Sequence, residues 1–371
     1  LVDMHVHLRE PGREDKETVL TGCEAAVAGG FTGVACMPNT DPVNDSQAVT
    51  RFILEKAADA PCKVYPVASI TRGMKGEKLT DMNELIDAGA VAFSDDGKCV
   101  ENADTLRRAL DYTKIFGGLI IEHCEDPVLA EGGCMHEGFI STKLGLSPIP
   151  SLAEEVMVAR DLLIAEYTGA RLHIAHISSH RSVRMLADAK SRGVNVTAEV
   201  TPHHIFLNHE AVTSFDTNTK MNPPLGSELD RKTLMDALMD GTIDCIATDH
   251  APHTVQEKLV EYNFAPNGVI GLETALPLVM TRLVHTKKIS PAQMVEMMST
   301  RPCGILGIPG GNLSSGSPGD VTVVDPESLW MVDPNKFYTK SRNTPFGGLS
   351  LRGACDMTIV DGEVVYQNSE Q

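Results

Sequence analysis

The sequence predicts a (β/α)8 barrel followed by a small β-sandwich-like domain. Eight short apolar runs rich in β-branched residues recur up to Thr248, most of them separated by segments of helical period. Eight such strands joined by crossover helices make a parallel sheet, and eight is the number that closes on itself. From about Ser315 the helical segments stop and strand-like pieces with turn signals replace them.

In chain order the strands are expected at Val2–His7, Phe31–Met37, Lys63–Ser69, Ala90–Ser94, Gly118–His123, Arg171–His176, Val194–Val200 and Ile243–Thr248. Amphipathic segments at Glu17–Ala28, Gln47–Ala58, Ala103–Ile115, Leu152–Tyr167, Arg181–Ser191 and Asp230–Asp240 supply helices between them. Pro38 and Pro42 make the segment after Met37 a loop. In the tail, strands are expected at Asp320–Val324, Met357–Val360 and Glu363–Tyr366, with turns at Ser317–Gly319 and Asp361–Gly362. The division is therefore a barrel over residues 1–314 and a β domain over 315–371. That tail is too short for a convincing core of its own. Because the chain opens on Leu1 inside an apolar run, a preceding segment is expected to complete the domain.

Composition narrows the function. Of 371 residues, 32 are Lys or Arg and 50 are Asp or Glu, a formal charge of −18. Such a surface repels phosphate backbones and anionic lipid, so nucleic-acid and membrane-surface binding are poor expectations. There is no apolar run long enough to cross a bilayer. The nine cysteines are odd in number, irregular in spacing and free of any CxxC pair, which argues against a disulfide framework or thiolate zinc knuckle and for a reducing cytoplasm.

In a barrel the active site lies at the C-terminal ends of the strands. His5 and His7 end the first strand, and residues two apart on a strand share a face. Asp96 follows the fourth strand in Ser94-Asp95-Asp96-Gly97, His123 ends the fifth, His176 the sixth, and Asp249 follows the eighth. Taken singly these have ordinary explanations: a core histidine, a turn, a helix cap. Together they place four imidazoles and two carboxylates at the same ends of five strands. Nitrogen and carboxylate donors without thiolate suit hydrolytic zinc, with manganese or iron as alternatives, and six ligands favour two ions sharing a carboxylate and a water.

The segments Asp3-Met4-His5-Val6-His7-Leu8-Arg9-Glu10-Pro11-Gly12, Met37-Pro38-Asn39-Thr40 and Ala247-Thr248-Asp249-His250-Ala251-Pro252-His253, with Lys258 five residues on, resemble the dihydroorotase family of metal-dependent amidohydrolases. The similarity extends through Asn222-Pro223-Pro224 to the β tail. It implies that His5, His7 and Asp249 hold one Zn2+ and His123 and His176 a second. Where many members bridge the ions with a carboxylated lysine, this chain resembles the subgroup with an aspartate. Asp96 is the match and Asp95 its rival, while Lys98 lies past the turn as a solvated side chain. The resemblance further implies that Arg9, Asn39 and His253 grip a substrate carboxylate, with His7 beside the substrate. Asn222, Asn267 and Gly268 would contact its ring through side chain or backbone. His203 and His204 are read as structural or supporting, and His136, His209 and His285 need no special role.

The implied activity is zinc-dependent, reversible cyclisation of N-carbamoyl-L-aspartate to L-dihydroorotate in pyrimidine synthesis. A metal lowers the pKa of bound water toward about 7. Asp249 would accept the water proton and pass it to the leaving nitrogen. Arg9 offers a bidentate fork for a carboxylate. The competing expectations are a hydantoinase, dihydropyrimidinase or allantoinase, whose neutral rings need no such fork, and a non-catalytic partner of aspartate carbamoyltransferase, which would not need the six-ligand set. A homodimer is a further expectation.

Overall fold

The computed structural model describes residues 1–368. All eight expected strands form: β1 Val2–Val6, β2 Gly33–Cys36, β3 Lys63–Ala68, β4 Ala92–Ser94, β5 Leu119–Glu122, β6 Arg171–Ile174, β7 Val196–Val200 and β8 Cys245–Ile246. They lie in that order in one sheet, every adjacent pair parallel. A parallel bridge between Val6 and His250, with the His7 amide donating to the His250 carbonyl at 2.8 Å, brings the first and last strands together and closes the barrel.

Eight helices follow the strands: α1 Val19–Ala28, α2 Gln47–Ala57, α3 Met82–Asp87, α4 Ala103–Lys114, α5 Leu152–Thr168, α6 His180–Ser191, α7 Glu228–Asp240 and α8 Leu272–Val279. Their starts are locally encoded. Thr18 and Ser227 close capping boxes on α1 and α7, and the Asn102 side chain accepts from the amides of Asp104 and Thr105 at the head of α4.

The core has two apolar layers. Val34, Phe93, Ile120, Leu172, Ile174, Ala198 and Ile246 pack outward against the helices. Met4, Ala35, Val67, Ala92, Ile121, Ala175 and Cys245 fill the barrel interior. This floor supports the polar strand ends above it. In β1 the step from Asp3 to Val6 faces the shorter step from Val34 to Cys36, a bulge that interrupts the two-residue alternation. Met4 thereby enters the floor while its neighbour His5 still faces the site.

The C-terminal segment is an antiparallel sheet of β9 Val321–Met331, β10 Ser350–Val360 and β11 Glu363–Gln367. It packs on α1 and α8, and Thr358 Oγ1 donates to the Val27 carbonyl at 2.7 Å. The expected turn is present: Asp361 and Gly362 both have positive φ, 50° and 86°, between the paired residues Val360 and Glu363. Two strands are longer than expected: β9 continues through Asp325-Pro326 by shifting register between Asp325 and Leu329, and β10 starts at Ser350, ahead of the expected Met357.

Candidate active site

The strand ends bring all six expected ligand residues to one cavity floor. His5 Nε2 lies 3.4 Å from Asp96 Oδ1 and 3.6 Å from Asp249 Oδ1; His7 Nε2 lies 3.0 Å from Asp249 Oδ1 and 3.4 Å from Asp96 Oδ2. On the other side of Asp96, Oδ1 is 3.5 Å from His176 Nε2 and 3.7 Å from His123 Nδ1, and those two nitrogens are 2.9 Å apart. Two overlapping groups, His5–Asp96–His176 and His5–His7–Asp249, are compact enough to hold a metal ion. His176, Asp249 and Arg9 have φ of 29°, 48° and 63°, a region that non-glycine residues enter at a cost and that clusters at functional sites.

Asp96 and Asp95 do different work. Asp95 Oδ1 accepts the Ile70 and Thr71 amides at 2.8 and 3.0 Å, and its other oxygen takes the Thr71 hydroxyl. It is committed to the loop after β3. Asp96 Oδ1 is buried without a hydrogen-bond partner and faces three imidazoles. Lys98 is exposed, as expected.

The outer nitrogens of the first two histidines are held from behind. Glu199 Oε1 lies 2.6 Å from His5 Nδ1, while Oε2 meets His173 Nε2 at 3.2 Å, and His173 Nδ1 meets Thr197 Oγ1 at 2.8 Å. Asn39 Oδ1 accepts from His7 Nδ1 at 2.8 Å. Both imidazoles therefore present Nε2 to the cavity, the arrangement of metal-ligating histidines whose far nitrogen donates to an oxygen. His5 Nε2 is a buried atom without a hydrogen-bond partner. The carboxylates dominate the electrostatics. Burial opposes a proton on His5, but Asp96 and Glu199 carry its pKa well above the usual value. Burial likewise opposes one on His123, yet Asp96 and Glu125 bring it to about 10. Burial would raise Asp249, but His7 and His5 hold it at about 2. Carboxylates crowded among imidazoles in a buried floor ask for positive charge, and a divalent metal cofactor fits them.

The cavity wall carries Arg9, Asn39, Asn222, His253, Asn267 and Gly268. Arg9 Nε donates to the Pro252 carbonyl at 3.2 Å, which leaves the two Nη atoms without a protein acceptor among the described residues. Burial lowers Arg9 to about 10, so it stays cationic at neutral pH. Asn222 Nδ2 lies 3.4 Å from His123 Nε2. His253 is engaged at both nitrogens: Nε2 donates to the Asn267 carbonyl at 2.8 Å, and Lys16 Nζ stands 3.1 Å from Nδ1. Gly268, at φ 132°, packs so closely on the Ala251 segment that a Cβ would lie 2.7 Å from the Ala251 Cβ.

Lys258 does not reach the cavity. Its Nζ donates to the carbonyls of Thr217, Lys220 and Pro266, tying the neighbouring loops. His204 is structural, with Thr201 Oγ1 at 2.7 Å and the Pro223 carbonyl at 2.9 Å, and among the described residues neither it nor His203 belongs to a potential metal cluster.

Among curated relatives, a dihydroorotase from Pelotomaculum thermopropionicum is 56% identical over 99% of this chain and 86% of its own length. The chain belongs to the dihydroorotase family. A second dihydroorotase, from Syntrophus aciditrophicus, is 54% identical over the same shares, and a family profile described as dihydro-orotase-like matches residues 1–182. Among solved structures, an L-hydantoinase (dihydropyrimidinase) from Arthrobacter aurescens superposes with a TM-score of 0.90 at 25% identity, covering 100% of this chain and 85% of its own. Membership of the dihydroorotase family makes the chain a cyclic amidohydrolase with a (β/α)8 barrel.

Glu199, His173, Thr197, Lys16 and Asn343 were not singled out by sequence. A signal existed for Glu199: Thr197 and Glu199 occupy the same face of a strand whose other positions are Val196, Ala198 and Val200. A carboxylate fully buried on an inward face needs a partner.

Proposed function

We propose that this protein interconverts N-carbamoyl-L-aspartate and L-dihydroorotate, closing and opening a cyclic amide. The observation that carries the reading is the placement of a half-buried guanidinium, Arg9, whose two Nη atoms have no protein acceptor among the described residues, on the wall of the cavity whose floor holds His5, His7, Asp96, His123, His176 and Asp249. A carboxylated ring suits that pairing, whereas a neutral hydantoin or dihydrouracil leaves Arg9 unanswered.

We assign two Zn2+ ions to the floor, His5, His7 and Asp249 toward one and His123 and His176 toward the other, with Asp96 between them; the donor chemistry supports zinc. A metal held by these residues would make a water nucleophilic at neutral pH and polarise the amide carbonyl. Asp249, kept ionised at neutral pH, takes the proton released in ring opening and delivers it to the departing ring nitrogen; cyclisation reverses the transfer. Arg9 forks the substrate carboxylate, with Asn39 and His253 beside it, while His7, Asn222, Asn267 and Gly268 border the ring. Glu199 and Asn39 fix the His5 and His7 rings.

We divide the chain into the barrel, 1–314, and the β domain, 315–371, which the end of the helix Arg301–Leu306 and the start of β9 at Val321 support. A reducing cytoplasm fits nine buried, unpaired cysteines. Among the described residues, no helix is long and apolar enough to cross a membrane. A homodimer, or docking to aspartate carbamoyltransferase, is supported by the exposed Leu152, Leu163 and Tyr167 on α5. Sedimentation with and without the transferase tests both. The activity is tested by comparing dihydroorotate with dihydrouracil: preference for the uncharged ring would replace this reading with dihydropyrimidinase.

A further inference from the structure

Two backbone segments border the cavity, Ala251–His253 after β8 and Asn267–Val269 before α8. They run side by side: the Ala251 amide donates to the Val269 carbonyl at 2.8 Å, and His253 Nε2 donates to the Asn267 carbonyl. Their outer edges meet a residue from elsewhere in the chain. Asn343 lies between β9 and β10, outside the barrel's own sequence, yet is buried against it. Its Nδ2 donates to the carbonyls of Ala251 at 2.9 Å and Gly268 at 3.0 Å, and its Oδ1 accepts the His253 amide at 3.1 Å. Its own carbonyl accepts the Ile270 amide at 3.0 Å.

One side chain thus satisfies three backbone groups on two segments that both border the cavity. Only a carboxamide can do this, since two donors and an acceptor are needed within one planar group. The segment that carries Asn343 is itself fastened to the barrel. Glu273 Oε2 and Oε1 accept the Tyr338 and Thr339 amides at 3.1 and 3.2 Å, and Glu17 accepts the Thr339 hydroxyl and the Lys340 amide. Ser341 Oγ donates to the Lys16 carbonyl at 2.9 Å, beside the lysine that faces His253.

We propose that Asn343 is a positioning residue for substrate recognition, holding the Ala251–His253 and Asn267–Gly268 backbones at the spacing that seats the carboxylated ring. The inference rests on the reading under Proposed function. It makes the C-terminal segment part of the substrate site. Asn343 hydrogen-bonds to none of the six floor residues, so its loss should act on binding and leave metal and chemistry in place. Asn343→Asp keeps the size and the acceptor but turns a second oxygen onto two carbonyls; Asn343→Ala removes all three bonds.

The test uses the zinc-loaded full chain, well below its unfolding temperature. Steady-state kinetics with dihydroorotate are combined with calorimetric binding of orotate, a carboxylated ring of the same outline, and with zinc content. Each variant should raise KM and the orotate Kd about tenfold or more, with kcat within about threefold and zinc content unchanged. Asn343→Asp carries the test if Asn343→Ala does not fold. Unchanged KM and Kd in a folded variant, even one with a lower Tm, would show a merely structural role and overturn the proposal. So would a fall in kcat or zinc content at constant KM. A wild type that binds orotate but does not turn over dihydroorotate would refute the activity and leave the orotate arm to decide on Asn343.

Discussion

Glu199 Oε1 stands 2.6 Å from His5 Nδ1, and the same oxygen accepts the His176 amide at 3.3 Å. One buried carboxylate thus positions residues on both sides of Asp96. Glu199→Gln keeps the volume and one acceptor but removes the charge behind His5. It should weaken zinc binding by about 10- to 100-fold. Chelator competition measures this directly, and an unchanged zinc affinity would mean that Glu199 only packs the barrel.

Asp96 and Asp95 are neighbours with separable losses. Asp96→Ala should lower zinc occupancy and abolish turnover. Asp95→Ala should retain zinc but lose stability, because the buried Ile70 and Thr71 amides lose their acceptor, at about 1–3 kcal/mol for each unsatisfied group. Metal analysis and urea unfolding distinguish the two, and the reverse pattern would show that the bridging carboxylate was misassigned. Activity should not need added bicarbonate, since Asp96 stands between the histidines and no lysine lines the cavity among the described residues.

Arg9→Ala should leave zinc content intact and depress kcat/KM for dihydroorotate by about 30-fold to several thousand-fold, the span of 2–5 kcal/mol for one partner of a buried charged pair. Dihydrouracil should be a poor substrate for the wild type and should lose little further. Equal losses on both rings would remove the carboxylate from the account.

His253 supplies a pH signature. Burial, and then Arg9, Lys16 and Lys258, push its pKa down to about 3, against 6.5 for a free imidazole. The folded protein therefore binds fewer protons at this residue than the unfolded chain between about pH 3 and 6.5. Its contribution to stability is lost as pH falls through that window. His253→Asn should flatten the acid limb by up to about 1.4 kcal/mol per pH unit. Urea unfolding at pH 7, 6 and 5 gives the slope, and a wild-type-minus-variant difference that does not change with pH would contradict it.

The barrel was legible because each strand is an apolar run bounded by turn residues, and the six floor residues because they sit just where those runs end. The tail was less so. Expected Asp320–Val324 stops at Asp325-Pro326, which interrupts the pattern, yet β9 bridges it by a register shift. In β10, Arg352, Gly353 and Asp356 break the apolar pattern, so only its last residues showed. Asn343 lies in irregular chain about 75 residues or more from the groups it holds, and no periodicity marks such a contact. The resemblance points Asn39 toward substrate; its further contact with His7 Nδ1 exists only once β1 and the loop after β2 are side by side.

The zinc-loaded floor and Arg9 should act together on a carboxylated cyclic amide. The most direct test measures ring opening of L-dihydroorotate and of dihydrouracil by the same preparation, before chelation, after chelation and after zinc is restored. Dihydroorotate should be preferred by at least about 30-fold in kcat/KM, with activity lost on chelation and recovered with zinc. Preference for dihydrouracil, or turnover that survives complete removal of metal, would contradict the account.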